Sequence, residues 1–457
     1  MRRPFAFVRP AISLALPAFS FASVGAPEAS APAEKRAETE RLDLAAFVKA
    51  AEEQGHQLGE ARARLVYAEA RADMADAKRW FSGTLDTIVA PLPGVSGGES
   101  PLTARTDWSS WGAFWTTRLE VIQPIYTFGA IDGGRRAARA GLEAEKKLFE
   151  RDRWQLRTEV HEFYFGYQLA FELAEIARDV VGKLEGALEA TKGRKLSAGD
   201  RDRLEDFLAE ARARLAEADK TLAQIRAGMA WKIGVYGQQT PRWDRANLRA
   251  REVKLPSLET LQAGARETRP ELAALAREVE AKRGLAEVER GLSRPTLFVA
   301  GRLNYGVAPG RPDYASPYVQ DPFNELSGGV GVGLRWNVGF LESSAKSRMA
   351  QAEALQAEAK SKHLGPAILA EIEKNYRDVE EAATARSIRD RAGESVRRRY
   401  QDALAGYGVG AESAKTLLET MGTYAMAEKA RLEAIFQYNL RLAKLEQSLG
   451  SEFTPER

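Results

Sequence analysis

The chain has no cysteine and only three histidines, His56, His161 and His363, among 457 residues. A disulfide framework and a Cys/His zinc site are therefore excluded, as is the modified cysteine of a lipoprotein anchor. Past the N-terminus, no run approaches the roughly 20 uninterrupted apolar residues that a membrane-spanning helix needs. A strong charge of either sign is also missing, with 67 Lys and Arg against 64 Asp and Glu. Loss of an N-terminal segment carrying Arg2, Arg3 and Arg9 brings the formal charge of +3 to about zero, so nothing argues for a nucleic-acid partner. There is no G-x-x-x-x-G-K-[ST] motif. Gly406, Gly408 and Gly410 form a G-x-G-x-G pattern in a helix turn, not in a strand-to-helix phosphate loop. The scattered carboxylates are what solvated coiled-coil faces carry, so neither an enzyme nor a bound cofactor is expected.

What remains is enough to fold, with 44% hydrophobic and 29% charged residues. Arg2 and Arg3 precede an apolar, alanine-rich run from about Ala11 to Val24, followed by small residues, which reads as a signal peptide over 1–26 and a flexible segment over 27–41. An exported chain without an apolar helix is either soluble outside the cytoplasm or held in a membrane by strands.

The rest is dominated by long helical text. From Ala130 to about Arg194 there is no proline, which predicts a rod of roughly 90 Å. After a break at "KLSAGD" (195–200), a second helix runs to about Ile233. Its Leu204, Leu208, Ala211, Leu215, Ala218, Leu222, Ile225 and Met229 form a coiled-coil seam. A third rod contains Pro366, which should kink or break it. "LAAFVKAAEEQGHQL" from Leu44 aligns with "LETLQAGARETRPEL" from Leu258 at an offset of 214, placing Phe47 on Leu261 and Leu58 on Leu272. Two tandem copies of one unit follow: a first repeat over 42–235, a linker over 236–257, a second repeat over 258–450 and a tail over 451–457.

Each repeat carries two segments of period two. In "WGAFWTTRLEV" Trp111, Trp115 and Leu119 oppose Arg118 and Glu120, and in "TLFVAGRLNY" Leu297, Val299, Leu303 and Tyr305 oppose Arg302 and Asn304. "LSGGVGVGLRWNVG" (326–339) sets Val330, Val332, Leu334 and Trp336 against Gly331, Gly333 and Arg335. "GTLDTIVA" from Gly83 is a weaker version that faces Asp86 inward. An apolar face toward lipid and a polar or glycine face toward a lumen is the pattern of a membrane β-barrel, in which the glycines leave room for water and cargo. The lumen charges allow either a mildly cationic lining or mutual pairing. Four strands cannot close a barrel, so copies must share one wall.

With the strand-to-helix junction "QPIYTFG", the passage "RPELAALAREVEAKRGLAEVERGLSRPTLFVAG" and the tips "LSAG" and "YGVGAES" in this order, residues 42 to 450 resemble the TolC-like outer membrane efflux proteins. The resemblance implies a mainly α channel-tunnel protomer with long antiparallel coiled-coil helices and four strands, whose twelve-stranded barrel closes only as a homotrimer. It implies an outer-membrane location in a Gram-negative bacterium, contact with lipid and a tunnel in the periplasm. The partners it implies are a periplasmic membrane-fusion adaptor and an inner-membrane transporter of RND, ABC or MFS type. The chain would be the passive exit duct of tripartite efflux or type I secretion. In the family the hairpin tips meet the adaptor, which points to Leu196, Ser197, Ala198, Gly199, Tyr407, Val409, Gly410, Ala411 and Ser413, unless these are only turn residues. Some members ring the closed end of the pore with two acidic residues. Their positions fall here on Thr416 and Glu419, so one ring is absent, and Glu419 is either a pore residue or an ordinary solvated one. The alternative is a periplasmic coiled-coil scaffold or adaptor without a pore.

Overall fold

The structure, a computed structural model, describes residues 42–96, 104–190, 198–237, 242–244, 247–311, 313, 321, 323–409 and 411–453. The expected signal peptide and the segment to residue 41 lie outside them. The first repeat consists of α1 (Leu44–Gln54), a 3-10 turn (His56–Leu58), α2 (Gly59–Ala77), β1 (Ser82–Ser96), β2 (Arg105–Tyr126), α3 (Ala130–Ala190) and α4 (Ala198–Lys232). The second consists of α5 (Leu258–Thr268), α6 (Pro270–Leu292), β3 (Thr296–Val307), β4 (Glu325–Arg335), α7 (Phe340–Val409) and α8 (Ala414–Leu449).

The duplication extends to the caps. Asp43 accepts from the Ala46 amide to start α1, and Ser257, 214 residues on, accepts from the Thr260 amide to start α5. Each repeat ends in a glycine that turns left-handed, Gly234 at φ 74° and Gly450 at φ 67°. Gly234 lies against the Gln54 carbonyl that closes α1, and Gly450 against the Thr268 carbonyl that closes α5. A Cβ at either would stand 3.0 Å from that oxygen.

α3 spans 61 residues and α7 spans 70, which at 1.5 Å per residue are rods of about 90 and 105 Å. α7 runs through Pro366 unbroken, so of the kink or break expected there the break does not occur. Pro366 and Lys362 are exposed, so the carbonyl left without its amide partner is solvated rather than orphaned.

Among the described residues the four strands form one antiparallel sheet in the order β1-β2-β3-β4. The helices joined to them keep that order: α2 packs on α3, α3 on α6 and α6 on α7, so each strand is prolonged by its own helix and the sheet wall becomes a helical wall. The α3–α6 crossing brings backbones together, since a Cβ on Gly284 would lie 2.8 Å from the Gly133 carbonyl and one on Gly291 would lie 2.6 Å from the Ala130 amide. Farther from the sheet, α4 joins α3 and α8 joins α7 as two hairpins.

Three clusters form the core. Phe47, Leu58, Tyr167, Met229 and Leu432 centre the first, where Trp243 of the linker meets Phe47 edge-on at 5.2 Å. Leu261, Ile372, Leu442 and Leu445 form its counterpart in the second repeat. Leu184, Leu204, Tyr400, Leu417 and Met421 join both hairpins near their tips. Each such side chain contributes roughly 1.5–3 kcal/mol of burial. Of the predicted seam on α4, Leu204, Leu208, Ala211, Leu222 and Met229 are buried and Leu215, Ala218 and Ile225 half-buried. The linker is tied down by Asn439, which accepts from the Arg251 amide at 2.9 Å and donates to the Arg249 carbonyl at 2.8 Å. A two-pronged Arg251–Glu446 pair at 2.8 Å reinforces it.

Candidate functional site

The strand register separates two faces. On one, Leu85 pairs with Leu119 and Leu119 with Leu303, while Val299 pairs with Val332 and Leu297 with Leu334. Trp111, Trp115, Leu119, Val330, Val332 and Leu334 are all exposed on this face, Val330 to 81%. Two threonines on it satisfy each other locally: the Trp115 indole donates to the Thr117 hydroxyl at 3.0 Å, and the Thr87 hydroxyl lies 3.2 Å away. Such an apolar surface with its polar groups satisfied suits hydrocarbon.

Across the opposite face run two rows, Asp86–Arg118–Asn304–Ser327 and Thr84–Glu120–Arg302–Gly329. Arg118 donates to the Asn304 amide oxygen at 3.3 Å, Asn304 donates to the Ser327 hydroxyl at 3.2 Å, and Arg302 stands 3.5 Å from Glu120. Among these charges Arg302 and Glu120 pair with each other, while Arg118 binds the neutral Asn304. Gly331 opens onto free space, but Gly333 does not: a Cβ there would be 2.6 Å from the Phe298 ring. Phe298 covers Gly333, with the Arg335 guanidinium 5.2 Å from its ring centre. The space expected beside both glycines is thus open at Gly331 and filled at Gly333. Phe298 sits on the even face of "TLFVAGRLNY", and the period-two pattern places it there without showing that it covers a partner strand.

The strand within 326–339 ends at Arg335, so Trp336 lies one residue beyond it. Its ring meets Phe340 edge-on at 5.6 Å and its indole donates to the Ser293 carbonyl at 3.2 Å.

At the far ends of the hairpins, Ala198 and Gly199 open α4, and Tyr407 and Val409 belong to the last turn of α7. The expected break at 195–200 thus overlaps the start of α4 at Ala198. The Ala411 amide donates to the Gly406 carbonyl at 2.8 Å. Ser413 caps α8 by accepting from the Thr416 amide at 3.2 Å, with the Thr416 hydroxyl 3.0 Å from its own. Thr416 is thus part of a helix cap. Glu419, one turn on, is exposed and 3.8 Å from Lys415. Leu196, Ser197 and Gly410 lie outside the described residues. The tip core brings the two hairpins together, with Tyr400 and Tyr424 stacked at 4.8 Å and Lys183 over the Tyr400 ring at 5.3 Å. Beside it a groove of about 560 Å³ opens between α3, α4 and α8, lined by Leu173, Val180, Phe207, Met421 and Met426. Sequence reasoning missed it because its third wall, α8, comes from the other hairpin, far along the chain from α3 and α4. Among the described residues no cluster of His, Asp or Glu could hold a metal ion, and no helix is long and apolar enough to cross a membrane.

Residues 262–451 match the family described as Outer membrane efflux protein. The fold matches the CmeC outer membrane channel of Campylobacter jejuni (TM-score 0.70, 14% identity, 91% of this chain and 90% of that one). It also matches the outer membrane protein VceC of Vibrio cholerae (TM-score 0.68, 16% identity, 90% and 97%) and the open state of the MtrE outer membrane channel of Neisseria gonorrhoeae (TM-score 0.69, 16% identity, 89% and 89%). By sequence comparison alone, no curated protein is significantly similar to the chain. Residues 262–451 thus belong to the outer membrane efflux protein family, and the chain from Leu42 onward has the fold of TolC-like channel-tunnel protomers.

Proposed function

We propose that three copies form an outer-membrane channel-tunnel, a passive exit duct for efflux that continues through the periplasm. The carrying observation is the two-faced sheet, apolar on one side and polar or glycine on the other, prolonged strand by strand into a helical wall in the same order. β1 and β4 run in opposite directions, so β4 of one copy can pair antiparallel with β1 of the next, and repetition closes a ring without free edges. Energy would come from an inner-membrane transporter of RND, ABC or MFS type through a periplasmic adaptor at the hairpin tips. Residues Ala198, Gly199, Tyr407, Val409, Ala411 and Ser413 would carry that contact, with Thr416 and Glu419 lining the narrow end. Planar-bilayer conductance of the purified protein tests the reading: discrete channels whose conductance falls in Gly331→Arg support it. A soluble pool of protein that forms no trimers and no channels would favour the pore-free scaffold instead.

A further inference from the structure

The rod end of the sheet carries a belt of exposed aromatic rings interleaved with cations. Trp80 and Phe81 are exposed to 68% and 66%, Tyr126 to 56% and Phe340 to 63%. A register shift after Pro124 pairs Tyr126 with Leu297 and so turns it to the apolar face, where its ring meets Phe128 at 4.7 Å. Arg294 lies 5.6 Å from the centre of the Phe128 ring. Both helix-to-strand turns are held toward this face. Gln123, in line with Val299 there, donates to the Arg79 carbonyl at 3.0 Å, and Trp336, in line with Leu334, donates to the Ser293 carbonyl.

The cations of these turns make no ion pair, while the carboxylates Asp76 and Glu342 are engaged. Among the described residues Lys78, Arg79 and Arg294 are exposed and make no ion pair. Asp76 is bound by Arg135 and Arg139, and Glu342 by Lys346. When β4 pairs with β1 of the next copy, the Trp336–Phe340 pair comes beside that copy's Lys78–Phe81 segment. Rings that accept acyl-chain ends, next to cations without ion pairs at the same helix-to-strand turns, match a phospholipid whose headgroup carries net negative charge.

We propose that Lys78, Arg79 and Arg294 bind anionic phospholipid headgroups of the leaflet facing the rods, at the seam between protomers, and so set the depth at which the sheet sits. The proposal rests on the outer-membrane reading. The test is titration of delipidated, detergent-held trimers with phosphatidylglycerol and phosphatidylcholine, counting bound lipids by native mass spectrometry. The wild type should prefer phosphatidylglycerol by about tenfold. Lys78→Gln/Arg79→Gln/Arg294→Gln should bring the two lipids to parity. An equal loss of charge on the distant rod, Arg397→Gln/Arg398→Gln/Arg399→Gln, should leave the preference intact. A preference that survives the first triple substitution, or that is lost equally in the second, overturns the proposal. Recording conductance alongside separates the two readings: a conducting wild type without lipid preference refutes this inference alone, whereas a wild type that neither inserts nor conducts refutes both.

Discussion

His161 shows how a single half-buried group couples stability to pH. It lies in α3 near Phe165, and burial, with repulsion from Arg251 and Arg157 outweighing attraction to Glu452, pushes its pKa down to about 4. The folded chain holds it neutral where the unfolded chain, titrating near 6.5, takes up a proton. Stability from this source is therefore full above pH 6.5 and is lost as pH falls toward 4, by at most roughly 3 kcal/mol per chain. Melting temperatures should fall across that window in the wild type and stay flat in His161→Phe. Glu52 is held below the usual carboxylate range because hydrogen bonds from Arg157 and Arg153 outweigh the opposing effect of burial, so its loss belongs to still lower pH. The Arg251–Glu446 pair makes a second prediction, since Glu446 is only 2% exposed. Glu446→Ala should cost about 3–5 kcal/mol by stranding the guanidinium, and Arg251→Met/Glu446→Leu should recover much of it. In the sheet, Phe298→Ala should raise single-channel conductance by uncovering Gly333.

At the scale of elements, the left-handed caps separate glycines that are required from those that are not. Gly234→Ala and Gly450→Ala should each cost at least ~1–2 kcal/mol, because positive φ and a carbonyl at 3.0 Å both oppose a Cβ. Gly141→Ala, inside α3 with open space around it, should stabilise by about 0.5–1 kcal/mol, and thermal melting compares the three. This scale also shows what could be read in advance. The Leu44/Leu258 alignment located α1 and α5 because both bury the same apolar stripe, and the alternation from Leu326 to Arg335 located β4 because one face is apolar and the other polar or glycine. Period alone does not place a strand's end, so Trp336 was read as strand although its indole turns to Ser293. The sequence places Gly199 in a break because glycine is a helix breaker in isolation, yet it sits in the first turn of α4. The Gly133–Gly284 contact was illegible, since neither glycine signals which distant backbone will approach it. The roles of Glu419 and the tip residues depend on partners that one chain's sequence does not contain.

At the scale of the whole molecule, the account turns on closure of the sheet. A head-to-tail contact between β4 and the next β1 closes at a definite number of copies or grows without limit, and the wall of α2, α3, α6 and α7 must follow the same curvature. The native chain has no cysteine, so an introduced pair reports that contact without background. The decisive measurement is disulfide cross-linking in native membranes, with Ile88→Cys on β1 combined in turn with Ser327→Cys, Gly329→Cys and Gly331→Cys on β4, read as the covalent ladder on a denaturing gel. The account predicts dimers and trimers in at least one combination, with the ladder stopping at three. Cross-links that never join two chains, or a ladder that runs past three, would contradict it.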